Sequence, residues 1–236
     1  MIELVLKDGL EFKNPIVIEG FPGVGLVGHI AATYLVNELD MPEIGFIKTD
    51  MIPQIAMILN GKVLPPVRIY GTEELVVFVS DLAFPDEKTY HMATAIGGFM
   101  KDVNVSTSIS LAGIGLANPT GKVFGVGSDD TMLSKLTNAD VEVLSMGSIS
   151  GGSGALLLEC AHQNIPSLAL LVETYGNRPD PRGASLMLEK IGNLIDKKFN
   201  TEPLLQEAEQ IESTLTNLSN DVEKQSTTDK FDTMYI

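Results

Sequence analysis

EGFPGVGLVGHIAATYL, residues 19–35, is the stretch whose reading decides the fold. The apolar run PIVIEG (15–20) leads into it as a strand, and a helical pattern over roughly 25–39 leads out. Gly23-Val24-Gly25-Leu26-Val27-Gly28 satisfies G-x-G-x-x-G, and Asp50, ending the next strand, stands about where a ribose-binding acid would. On that reading the small residues let a pyrophosphate approach the helix N-terminus. On the other, the glycines permit a tight strand-to-helix turn and close packing of helix on sheet. These residues alone leave both open.

Working outward, the same alternation fills the chain. IELVL (2–6), EIGFIK (43–48), VRIY (67–70), ELVVFVS (74–80), STSISLAG (106–113), VFGVG (123–127), VEVLS (141–145) and SLALLVE (167–173) read as strands. Helical patterns cover about 87–102, 129–137 and 154–164. Strands that are apolar throughout predict a sheet buried on both faces, hence a three-layer α/β/α sandwich over residues 1–200. Asp180-Pro181 is a helix start, because Asp can cap and Pro is tolerated in the first turn. Ala184, Met187, Leu188, Ile191, Leu194, Ile195 and Phe199 then form one broad apolar stripe that faces the sheet.

Beyond residue 200 the pattern narrows. Leu204, Ala208, Ile211, Leu215, Leu218 and Val222 follow a heptad seam over 201–223, with polar residues on the other faces. So narrow an apolar face does not hold a helix together in water, so this one lies on its own body or pairs with another copy. A polar, flexible tail over 224–236 follows. It ends FDTMYI (231–236), a greasy and aromatic tip on a polar leash that gains too little burial to order itself.

Composition removes several classes. The 236 residues are 44% hydrophobic, enough for a substantial core, and no apolar run approaches the roughly 20 residues that span a bilayer. The start, MIELVLKDGL, lacks the basic region and apolar stretch of a signal peptide. A net charge of −15 without basic stripes argues against nucleic acid and favours basic or hydrophobic partner surfaces. The single cysteine, Cys160, cannot form an internal disulfide, nothing resembles a zinc ligand set, and a reducing cytoplasm is the expected compartment.

Catalytic candidates are few. GSISGGSGALLLE (147–159) is a second Gly/Ser turn before a helix, but position 155 is Ala, so G-x-S-x-G around Ser153 is incomplete. His29, His91 and His162 are scattered, and no spacing ties them to a serine. Cys160, within ALLLECAHQ, reads as an inert core thiol.

Three blocks taken together resemble one family. GFPGVGLVGHIAATYL, GSISGGSGALLLECA and ETYGNRPDPRGASLMLEKIGNLI, in that order, are similar to the proteasome assembly chaperone 2 family in its archaeal-type form, over about residues 1–215. Gly183, after PDPR, departs from the alanine expected there. The resemblance implies a phosphorylase-like α/β/α architecture without enzymatic activity or cofactor, homo-oligomers, and the structural reading of the glycine loop. It also implies a role for the tip. Met234-Tyr235-Ile236 matches the C-terminal hydrophobic–tyrosine–any-residue (HbYX) motif, which enters pockets between α-subunits of the proteasome core particle. The chain is thus expected to be an assembly chaperone or an ATP-independent activator. A nucleotide-binding or phosphorylase-type enzyme using Gly23 to Gly28 is the alternative.

Overall fold

The computed structural model describes residues 2–210. Residues up to Phe199 belong to one unit, and a second begins at Asn200. In chain order the first unit contains β1 (Ile2–Leu6), β2 (Ile16–Gly20), α1 (Val27–Glu38), β3 (Glu43–Thr49), β4 (Met57–Leu59), β5 (Lys62–Leu64), β6 (Val67–Gly71) and β7 (Leu75–Ser80). It continues with α2 (Thr89–Asp102), β8 (Thr107–Gly115), β9 (Val123–Gly127), α3 (Asp130–Asn138), β10 (Glu142–Val143), α4 (Gly151–Gln163), β11 (Ser167–Thr174) and α5 (Pro181–Ile195). In the second unit, residues 202–210 are helical.

Among the described residues, nine strands form one mixed sheet in the order β1-β3-β6-β7-β2-β8-β11-β9-β10. Its centre, β7-β2-β8-β11, is parallel, and β1, β3 and β6 extend it with antiparallel neighbours. The central strands are the apolar runs of the sequence: all six residues of β7 are buried, as are Val17 to Gly20 of β2. Strand parity explains the two helical layers. Val17 joins Phe78, Met92, Ile96, Phe99 and Leu156 in a core beneath α2 and α4, which pack on each other. Gly20, of opposite parity, faces Ala32 and Gly28 of α1, and α1 packs with α5. Each large side chain buried in this way contributes about 1.5–3 kcal/mol.

Local chemistry sets the ends. The Asp180 carboxylate accepts from the Gly183 backbone N–H at 2.8 Å, with Pro181 in the first turn of α5, as the sequence predicts. Ala184, Met187, Leu188 and Ile191 are fully buried. Three elements differ from expectation. The strand expected over 141–145 shrinks to Glu142–Val143, which among the described residues pairs only with the short β9. α4 starts at Gly151, earlier than the pattern suggests, because Gly151 (φ +70°) turns the chain straight into the helix. Strands β4 and β5 form a separate hairpin whose turn, Asn60-Gly61, has φ of +50° and +76°. Both central residues being left-handed is the type I′ geometry that Asn-Gly favours. Ile58 and Val63 pair across this hairpin with exposures of 64% and 70%.

Candidate functional site

The glycine loop reads differently once its neighbours are known. β2 ends at Gly20, a 3-10 turn covers Val24–Leu26, and α1 follows. Gly25 has φ +66°, and a Cβ there would stand 2.5 Å from the Thr174 hydroxyl at the end of β11. Its carbonyl accepts from the Asp180 N–H at 2.9 Å, tying the loop to the start of α5. A Cβ on Gly28 would stand 2.5 Å from the Leu111 carbonyl oxygen of β8. Both residues are therefore required by the turn and by close packing of α1 on the sheet. Gly23 is extended, with open space where a Cβ would point.

The strand order also parts from a dinucleotide fold, in which the strand after the glycine loop lies next to the first. Here β3 is separated from β2 by β6 and β7. Asp50 thus stands beyond a strand three positions away, on the order of 14 Å across the sheet, and is out of place for a ribose partner.

The second glycine turn holds what the sequence did not disclose. Glu19, the last side chain of β2 before Gly20, is 0% exposed. One carboxyl oxygen accepts from the Phe21 N–H and the other from the Ser153 hydroxyl in the first turn of α4, each at 2.9 Å. Burial pushes the carboxyl up to about 7, against the opposing pull of Phe21, Ser153 and the neighbouring Ser110 hydroxyl. Ser153 therefore answers to a carboxyl group rather than a histidine. Burial lowers the basicity of His29 in α1. It also raises the Cys160 thiol, which lies in the core.

Around Glu19 a cavity of about 410 Å³ opens at the carboxyl ends of the parallel strands, between the two glycine turns. Strand parity could have pointed to Glu19, since Val17 and Glu19 face the same layer. Its partner, however, lies 134 positions away.

Met234, Tyr235 and Ile236 lie outside the described residues, as do Ile211, Leu215 and Leu218 of the heptad seam. Leu204 and Ala208 fall within helix 202–210, and both are buried. Among the described residues no cluster of His, Cys, Asp or Glu could hold a metal ion, and no helix is long and apolar enough to cross a membrane.

The chain resembles known proteins over nearly its full length. Residues 17–219 match the model of the PAC2 family. An uncharacterized protein of Methanocaldococcus jannaschii is 36% identical over 218 residues, covering 92% of this chain and 91% of that one. The crystal structure of Pyrococcus furiosus PbaA, an archaeal homolog of proteasome-assembly chaperone, superposes with a TM-score of 0.86 at 39% identity, covering 100% of this chain and 99% of that one. P. furiosus PbaB, an archaeal proteasome activator, shares the fold with a TM-score of 0.82 at 22% identity, covering 92% and 98%. The three sequence blocks, the fold they build and these full-length matches agree: the chain belongs to the PAC2 family.

Proposed function

We propose that this protein is a proteasome assembly chaperone or an ATP-independent proteasome activator, which docks its C-terminal tail into pockets of the α-ring. The observation that carries the reading is the 39% identity to PbaA with both chains covered almost completely. Docking rests on the tip Met234-Tyr235-Ile236: the terminal carboxylate suits capture by a lysine, Tyr235 supplies ring burial and a hydroxyl, and Met234 a pliable apolar contact. The core architecture is phosphorylase-like. The nucleotide-dependent alternative draws no support from Gly25 and Gly28, whose environments are filled by the protein itself.

One tail binds weakly, because ordering each leash residue costs roughly 1–2 kcal/mol and one buried tyrosine returns only about 1.5–3. Several tails on a homo-oligomer raise avidity, since later docking steps become intramolecular. Of the seam, Leu204 and Ala208 are already buried within the single chain, so Ile211, Leu215 and Leu218 are the proposed oligomerisation surface, in a cytoplasmic protein acting without a cofactor.

Surface plasmon resonance against assembled α-rings, with light scattering for mass, tests the docking. Tyr235→Ala, or deletion of the last three residues, should abolish binding and leave the oligomer intact; undiminished binding by the truncated chain would refute it. Ile211→Asp with Leu215→Asp should lower the mass while the α/β/α domain stays folded.

A further inference from the structure

The sheet changes its direction of winding at β2. From β2 the chain crosses through α1 to β3, on one side; from β7 it crosses through α2 over β2 to β8, on the other. Crevices beyond the carboxyl ends of strands at such a switch point are where open α/β sheets bind ligands. The 410 Å³ cavity lies there and falls within the size range of small-molecule sites. Its walls are apolar: Phe21 and Phe84, tilted rings with centroids 5.8 Å apart, with Ala112 and Leu171. Its polar end is Glu19 and the first turn of α4 at Ser153.

Charge narrows the occupant. Among the described residues, no basic side chain lines the cavity, and its acids are the buried Glu19 and the exposed Asp86 at the rim. An anion would be desolvated against the apolar walls with no basic side chain to pair with it. A cation would face the N-terminus of α4, where unpaired N–H groups carry partial positive charge and Ser150 supplies no side-chain cap. A neutral hydroxyl satisfies both: it donates to a carboxyl oxygen and accepts from an N–H. Glu19 has the capacity, because a carboxyl group offers about four hydrogen-bonding sites, and Phe21, Ser153 and the neighbouring Ser110 take at most three.

We propose that this cavity binds a small neutral molecule with a ring-sized apolar body and a hydroxyl head, the hydroxyl resting between Glu19 and the first turn of α4. The site is independent of tail docking, and neither needs the other.

The test uses the full-length protein and p-cresol, with thermal shift and ligand-observed NMR as readouts. A saturable rise in Tm is expected with p-cresol, at least tenfold weaker binding with toluene, and none with benzoate or benzylamine. Glu19→Gln should weaken p-cresol at least tenfold. Ala112→Leu, which fills the cavity from β8 and leaves Glu19 in place, should abolish binding even if the Glu19 variant fails to fold. N-acetyltyrosinamide separates the sources: binding alongside p-cresol admits a tyrosine side chain of a polypeptide, and binding of p-cresol alone restricts the site to free molecules. The proposal is overturned by no saturable response to p-cresol, by an equal response to toluene, or by a response that survives Ala112→Leu.

Discussion

Two glycine-rich turns, 23–28 and 147–154, stand at the same edge of the sheet and open helices on opposite faces of it. Their compositions are alike and their physics is not. Past Gly23, which borders the cavity, the first is shut by the protein: Gly25 is pressed against Thr174, and Gly28 against the backbone of β8. The second leads into a helix whose first turn meets a buried carboxyl group and a cavity. A glycine motif therefore reports that backbone comes close to something. Only the surrounding structure says whether that something is the protein itself or a space beside it.

Substitutions can break this contrast. The largest effect is expected at Gly28→Ala, because its Cβ would meet backbone, which cannot rotate away as a side chain can. A loss of about 3 kcal/mol or more is expected in urea denaturation, or failure to fold. A loss under about 1 kcal/mol would mean that α1 can slide on the sheet.

Glu19 comes next, and its signature is pH. With the carboxyl raised from 4.5 to about 7, the folded protein keeps a proton that the unfolded chain has released between those values. Its contribution is complete below pH 4.5 and is lost as pH rises through 7, a change of about 3 kcal/mol. Glu19→Gln should remove that slope between pH 5 and 8, whatever constant offset the amide introduces. A slope kept in the variant would assign it to other groups.

The finest comparison lies within the first turn. Gly25→Ala should cost about 1–3 kcal/mol, from its positive φ and the Thr174 contact. Combining it with Thr174→Ser, which removes the methyl that would lie 2.9 Å from the new Cβ, should recover part of the loss. Gly23→Ala, extended and facing open space, should stay within about 0.5 kcal/mol of the parent.

Sequence periodicity carried the alternation of strands and helices, the capped start of α5 and its buried stripe, because those depend on neighbours a few positions apart. The hairpin β4–β5 was also local, with Asn60-Gly61 between two short apolar runs, but its side chains look outward and give no core pattern to read. Glu19 was hidden for the opposite reason. One acid in an apolar strand has only the Phe21 backbone as a local partner, and Ser153 reaches it only after the chain has passed through α1, α2 and α3. The tail was the clearest functional signal in the sequence, and it lies outside the described residues.

The place of β2 at the centre of the sheet also governs the order in which the molecule can be made. Its two neighbours arrive late: Ile16 pairs with Leu75 on one side and Thr107 on the other, and Thr174 reaches Gly25 later still. At synthesis rates of roughly 5–20 residues per second, β2 and its glycine turn wait on the order of 5–20 s before β8 emerges to close against them. Contacts so distant in sequence slow folding even when the final state is stable. During that interval the nascent chain carries an apolar strand with at least one edge unpaired, so its yield should depend on how quickly the middle of the sequence is translated.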